Sequence, residues 1–298
     1  MELIDGVEFI TVDKRAGLAA RRDLRARLRG RRFDVLLHLQ LSLRASLVSS
    51  AVAADLRLGF DRARARELQW LFTNARIAPR SREHVLDSFL GFLEALGIQD
   101  RAPRWDVPLP PGALDYARTL IPDARPTMII SPCSSHERRN WRPERYAAVA
   151  DHAVRRHGMR VILAGGPTVM EREAGARIER AAHVPLVNQI GRDTLPQMLA
   201  LLARAAVLLT PDSGPAHMAS MVGTPVVGLY AATNPARSGP YLSRRWCVDA
   251  YPQAARRFRG RAPEQLPWTE KLEEPGVMDL IEVAQVTAKV DELLAYKP

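Results

Sequence analysis

The sequence is short of several features that would each have pointed to a function. It holds two cysteines, Cys133 and Cys247, which make neither a metal-binding pattern nor a disulfide framework, so a reducing, cytoplasmic setting is expected. No stretch approaches the roughly 18 successive apolar residues of a membrane span. The opening Met1-Glu-Leu-Ile-Asp-Gly is acidic and lacks the apolar core of a secretory signal. Lysine is scarce too: Lys14, Lys271, Lys289 and Lys297 are four of 43 basic residues. The net charge of +10 is therefore mostly arginine, and in an alanine-rich chain that fits a GC-rich coding bias as well as an anionic partner. There is no zinc finger, basic zipper or aromatic RNA-binding signature, so nucleic acid is not expected as a partner. No glycine-rich dinucleotide fingerprint occurs either, which argues against a nicotinamide enzyme.

What is present is enough for about two domains of roughly 100–200 residues, since hydrophobic residues make up 47%. From Thr127 to Tyr230 short apolar runs alternate with helical patterns. Expected strands are Thr127–Ser131, Met159–Ala164, Val184–Val187, Ala206–Leu209 and Pro225–Tyr230. Expected helices are Pro143–His157, Val169–Ala182 and Thr194–Ala205. That alternation predicts a parallel sheet with helices on both faces and ligands at the carboxyl ends of the strands. The first half gives expected strands at Val7–Val12 and Val35–Leu39, and helices at Leu18–Leu28, Leu43–Ala53, Ala63–Phe72 and Arg82–Leu96. Pro103-Arg-Trp-Asp-Val-Pro-Leu-Pro-Pro111 reads as a linker, and Val277–Leu294 as an amphipathic helix. Arginines gather at Arg21, Arg22, Arg25, Arg27, Arg29, Arg31 and Arg32, and again at Arg256, Arg257, Arg259 and Arg261. Such clusters suit phosphates, including those of an anionic lipid surface.

Two segments carry the chemistry. Leu209-Thr-Pro-Asp-Ser-Gly-Pro-Ala-His-Met-Ala219 reads as a strand end followed by a helix start, with Pro215 in the first turn where its missing N–H is not needed. The free N–H groups of such a start, with the helix dipole, form an anion site. Ser213 adds a hydroxyl, Asp212 can orient a ribose or a donor, and His217 lies in the first turn. The plainer alternative is an ordinary strand–turn–helix with Asp212 or Ser213 as its cap and His217 as a packed histidine. The second segment, Pro132-Cys-Ser-Ser-His-Glu-Arg-Arg-Asn-Trp-Arg142, also sits between a strand and a helix. Ser134, Ser135, Arg138 and Arg139 there suit a diphosphate through hydroxyls and guanidinium forks, whereas Trp141 reads as packing.

Together with Gly228-Leu-Tyr-Ala-Ala-Thr-Asn-Pro-Ala-Arg-Ser-Gly-Pro-Tyr241, these segments resemble the lipopolysaccharide heptosyltransferases, glycosyltransferase family 9. Weaker echoes lie at Phe33–Gln40 and His84–Gly97. The resemblance implies an α/β, GT-B-like fold of two Rossmann-like domains with parallel sheets. Residues 1–106 would form the acceptor side and 107–276 the ADP-sugar side, with 277–298 a helix packing back on the first domain. It implies inverting transfer of heptose from ADP-heptose to the lipopolysaccharide inner core, without metal or cofactor, by an enzyme peripheral to the cytoplasmic face of the inner membrane. The partners would be the ADP-sugar and an anionic lipid-linked acceptor. Ser134, Ser135 and Arg139 would meet the diphosphate, Asn188 would lie near the nucleoside, and Asp212, Ser213, Gly214 and His217 would line the phosphate and sugar site.

The chain departs from the family at its beginning. Members open with a strand and a Gly-Asp loop whose aspartate is taken as the general base, and no such segment occurs here. Asp13 follows Thr11-Val12 without a glycine-rich turn and reads as a surface residue. The expectation is an N-terminal domain short of its opening units, an unassigned catalytic base, and weak or absent transfer despite an intact donor site. The alternatives are a catalytically defective nucleotide-sugar-binding protein and, less favoured, a nucleic-acid-binding protein.

Overall fold

A computed structural model describes residues 6–13 and 15–296, in two units that part between Pro103 and Arg104. The Met1–Asp5 segment, Lys14 and the last two residues of the 277–298 assignment lie outside the described residues.

In the first unit, α1 (Gly17–Arg27), β1 (Phe33–Leu37), α2 (Leu43–Ser49), β2 (Ala54–Gly59), β3 (Ala75–Arg76) and α3 (Val85–Ala95) follow in order. The three strands form a parallel sheet in the order β1-β2-β3. Helix α1 buries Ala20 and Leu24, with Leu28 just beyond its end, at the four-residue spacing of one helix face, leaving Arg22, Arg25 and Arg29 exposed. Ser42 and His84 cap α2 and α3 by accepting the Ala45 and Leu86 N–H groups. Phe60 and Phe92 meet edge to face at 5.0 Å in the small core.

Two expectations fail in this unit. Val7–Val12 forms no strand; it is irregular, and Ile10 and Val12 pack against Leu24 and Leu28. Ala63–Phe72 is not a helix but turns and a short 3-10 segment, Gln69–Leu71. The cause is Gln69, fully buried, whose amide donates to the His38 carbonyl at 2.8 Å and accepts from Phe60 N–H at 3.2 Å. An α-helix there would pull Gln69 from both partners and leave buried polar groups unmet.

The second unit runs α4 (Pro111–Leu120), β4 (Thr127–Ile130), α5 (Pro143–His157), β5 (Arg160–Leu163), α6 (Val169–Ala181), β6 (Val187–Asn188) and α7 (Leu195–Arg204). It continues with β7 (Val207–Pro211), α8 (Gly214–Met221), β8 (Val226–Tyr230), α9 (Pro235–Ser238), β9 (Val248–Asp249), α10 (Tyr251–Arg259) and α11 (Val283–Ala295). Six parallel strands lie in the order β6-β5-β4-β7-β8-β9. Their side chains alternate between two cores. Met128, Ile130, Val207 and Leu209 face α5, α10 and α11, while Ile129 and Leu208 face α4, α7 and α8. Burial on both faces is why these strands read as unbroken apolar runs. The strand order reverses between β4 and β7, making a crevice at their carboxyl ends.

The C-terminal helix differs from its expectation. Ile281 is extended, so the single helix expected over 277–294 is split into a short turn and α11. Helix α11 buries Val286, Val290 and Leu293 in the second unit's own core, against α5, β8 and β9. Those three apolar positions recur every three or four residues, and α5 supplies the surface that covers them.

Candidate functional site

A cavity of about 820 Å³ opens at the carboxyl ends of β4, β5 and β7, within the usual range of small-molecule sites. Four segments wall it: the Cys133–Arg139 loop after β4, the Gly165–Glu171 turn after β5, the Asp193–Met198 start of α7, and Asp212–Met218 at the start of α8.

Helix α8 begins without a side-chain cap. The Ser213 hydroxyl, which could have capped it, lies 2.8 Å from the Thr210 hydroxyl instead. The start of the helix is thus left to face the cavity, with Pro215 in its first turn. An uncapped, inward-facing helix start is an anion site by its N–H groups and dipole.

The opposing loop is braced from within. Ser134, 5% exposed, donates its N–H to Asn140 Oδ1 at 2.7 Å, and its hydroxyl donates to the His136 carbonyl at 3.1 Å. Arg139 projects from this loop into the cavity wall. Its Nε and Nη2 donate to Glu273 Oε1 at 2.8 and 2.6 Å, and its Nη1 lies 3.7 Å from Asp212 Oδ2. Burial pushes the Glu273 carboxyl up, but the Arg139 bonds and charge outweigh it and hold it below the usual range. Arg138 is exposed and does not line the cavity. Trp141 is packed, as expected, with its indole N–H on the Ile281 carbonyl at 3.0 Å.

His217 turns its ring toward the cavity. The protein around it desolvates the imidazolium, and although Asp212 opposes this, the pKa stays below the ordinary histidine value. At neutral pH it is therefore a hydrogen-bonding group rather than a cation.

Seven of the eight expected site residues, Ser134, Ser135, Arg139, Asp212, Ser213, Gly214 and His217, line this cavity. Asn188 does not. Its amide donates to Glu179 Oε2 at 2.7 Å and its Oδ1 accepts the Ile190 N–H at 3.1 Å, which ties it beneath α6. Asp13 lies in the other unit, exposed, with its carboxylate on the Arg15 N–H at 2.8 Å.

The sequence reading missed Glu171 and Asp193. Glu171 accepts the Gly166 N–H at 2.8 Å and the Thr168 hydroxyl at 2.6 Å, which closes the turn after β5. Its signal was there, as Thr168 and Glu171 are spaced as a capping box. Asp193 is raised to about 6 by burial, with one buried oxygen lacking a partner. Cys133, also on the wall, is pushed up to about 12 by burial and is a neutral thiol.

Comparison with known proteins decides the family. The sequence model for Glycosyltransferase family 9 (heptosyltransferase) matches residues 21–266. The chain belongs to glycosyltransferase family 9. It is 36% identical over 290 residues to the lipopolysaccharide core heptosyltransferase OpsX of Haemophilus influenzae, covering 97% of this chain and 83% of that one. Lipopolysaccharide heptosyltransferase 3 of Escherichia coli is 24% identical over 274 residues, covering 90% and 77%. Among solved structures, a family 9 glycosyltransferase from Veillonella parvula superposes with a TM-score of 0.75 at 20% identity, covering 97% of this chain and 82% of that one. The E. coli heptosyltransferase WaaC, solved with ADP, superposes at 0.65 and 18% identity, covering 93% and 78%. The fold of this family 9 glycosyltransferase is of the α/β, GT-B-like class with parallel sheets. No helix among the described residues is long and apolar enough to cross a membrane.

Proposed function

We propose that this family 9 enzyme transfers heptose from ADP-heptose to an anionic, lipid-linked acceptor of the lipopolysaccharide inner core, with inversion at the anomeric carbon. One observation carries the donor assignment: the uncapped start of α8 and the Arg139 guanidinium face one cavity at the point where the strand order reverses. A diphosphate bridging them meets N–H donors from one side and a fixed cation from the other. The H. influenzae relative, named for the lipopolysaccharide core, supports the acceptor class.

In this reading an acceptor hydroxyl attacks the anomeric carbon on the face opposite the diphosphate and gives up its proton to water, and the bond from that carbon to the ADP oxygen breaks. The charge left on ADP is met by groups already in place, so the barrier falls without reorganisation. Ser135 and Ser213 supply hydroxyls to the phosphates. Asp212 orients Arg139 and the sugar, and neutral His217 offers a hydrogen bond. The carboxylates at this cavity face the leaving group, Glu171 is committed to its own turn, and Asp13 is committed to Arg15. We assign no base, a contribution typically of about 10²–10⁴-fold, and the donor assignment stands apart from it. The exposed arginines of the α1 segment would hold the enzyme to an anionic membrane surface.

Calorimetric titration with ADP tests the site. Loss of one charged diphosphate contact costs about 1.5–3 kcal/mol, so Arg139→Ala is expected to weaken ADP binding roughly ten- to a hundredfold. Unchanged affinity in both Arg139→Ala and Ser213→Ala would place the donor elsewhere. Transfer from ADP-heptose to purified inner core, measured beside it, separates a slow transferase from a protein that only binds the nucleotide sugar.

A further inference from the structure

At the carboxyl end of α5, away from the cavity, three ligand-type side chains converge on one point. His152 Nε2 lies 2.7 Å and His157 Nε2 2.5 Å from the same oxygen, Oδ1 of Asp291 on α11. The ligand atoms of all three lie within 4.8 Å of one another, and the two rings meet at 5.7 Å between centroids. None of the three side chains is more than 32% exposed. The other carboxylate oxygen, Oδ2, is engaged by Arg156 Nε at 3.3 Å.

We propose that His152, His157 and Asp291 form a site for one first-row divalent transition metal ion of the zinc type, which fastens α11 to α5. Two imidazoles and a carboxylate are a borderline N/O donor set that suits zinc and its neighbours rather than magnesium or calcium. Tetrahedral ligands at about 2.0–2.1 Å from zinc stand roughly 3.3 Å apart. The two Nε2–Oδ1 separations therefore need to open only slightly to admit the ion. Two imidazole nitrogens converge on a single carboxylate oxygen, an arrangement that a shared cation would organise. Arg156 takes Oδ2 and so leaves Oδ1 as a single-oxygen ligand, the part an outer-shell partner plays at metal sites. Three protein ligands leave a fourth position for water.

The site lies nine to fourteen residues along α5 from Pro143, about 14–21 Å at the helical rise, so its effect on the donor cavity is indirect and the two assignments fail separately. The ion would strengthen a helix contact made by the apolar stripe Val286, Val290 and Leu293 and by the polar contacts to Asp291. Affinity would fall on acidification, because protons compete for the same lone pairs.

The test uses the full chain after dialysis against a chelator. Zinc is titrated by calorimetry, cobalt by visible absorption, and melting is followed with and without zinc. The expected result is one zinc per chain, the intense visible bands of four-coordinate cobalt, and a melting temperature raised by zinc. His157→Ala and Asp291→Asn should each lose more than the roughly 10–100-fold that removal of an outer-shell partner costs, and Arg156→Ala should fall within that range. ADP binding should be kept in all three, which shows that they remain folded. Absence of zinc binding at micromolar concentrations would overturn the site. So would zinc binding of equal affinity in a His152→Ala, His157→Ala double variant that still binds ADP.

Discussion

Arg139 is held by Glu273 on one side and faces Asp212 on the other, and this decides what its replacement does. Arg139→Ala removes the cation and leaves two carboxylates where the proposed diphosphate would lie, so the expected loss includes new repulsion as well as a lost contact. Arg139→Lys restores the charge but cannot reproduce the two-nitrogen grip on Glu273, and its ADP affinity is expected between those of wild type and Arg139→Ala. Asp193 gives the pH dependence. Its folded pKa is raised to about 6 from 3.8 by burial, so between those values the folded state holds more protons than the unfolded one. Stability from this group is therefore highest at low pH and declines as pH rises through about 6. Asp193→Asn should melt higher than wild type above that pH, and the gap should close on acidification. A gap that does not change with pH would mean that the carboxylate is not penalised by burial.

At the scale of elements, β4, β5, β7 and β8 were legible because they are buried on both faces, and α5, α6 and α7 because they are amphipathic, whereas the short, partly exposed β6 and β9 were not. Both patterns reach the sequence undiluted. The turn after β5 was legible only as a glycine pair; what it does depends on Glu171, five residues on. Thr168 caps α6 and also binds that carboxylate. Thr168→Ala is expected to cost about 1 kcal/mol of stability, read from denaturant unfolding, and to weaken ADP binding less than Arg139→Ala. Gly175, inside α6, is set by contact: a Cβ there would stand 2.7 Å from Ile190 Cδ1 and 3.1 Å from Asn188 Nδ2. Gly175→Ala should destabilise by about 1–3 kcal/mol, although alanine favours helices. The first unit was less legible because polar tethers set its shape. The apolar run of β2 is broken by Asp55 and Arg57, and Arg57 reaches the Ser49, Val52 and Phe72 carbonyls. No periodicity announces such bonds. Asn188 stands outside the cavity wall for a related reason: its position after a strand was visible, but the pull of Glu179 and Ile190 on its side chain was not.

For the whole molecule, the net charge of +10 sits on a surface where many arginines are paired with acids. Arg31 pairs with Glu8, Arg32 with Asp55, and Arg259 with Glu270 and Glu274. Arg22, Arg25 and Arg29 stay exposed along α1 and its end. Each such residue near an anionic bilayer contributes about 1 kcal/mol. Cosedimentation with anionic vesicles is expected, weakened by salt and by Glu at these three positions; neutral vesicles should not bind. Retention by neutral vesicles at high salt would point to an apolar anchor instead.

The pairing of β4 with β7, Met128 against Val207 through Ile130 against Leu209, has a consequence for how the chain matures. These neighbours are separated by β5, β6 and three helices, so this ladder closes only after most of the second unit has been synthesised. Pairings of that separation are slow to form. Two of the cavity's four walls hang from these two strands, so a chain that has reached only β6 has no such cavity. On the proposed function, ADP binding is expected to report completed folding, and by mass action the nucleotide would draw late folding intermediates toward the finished domain.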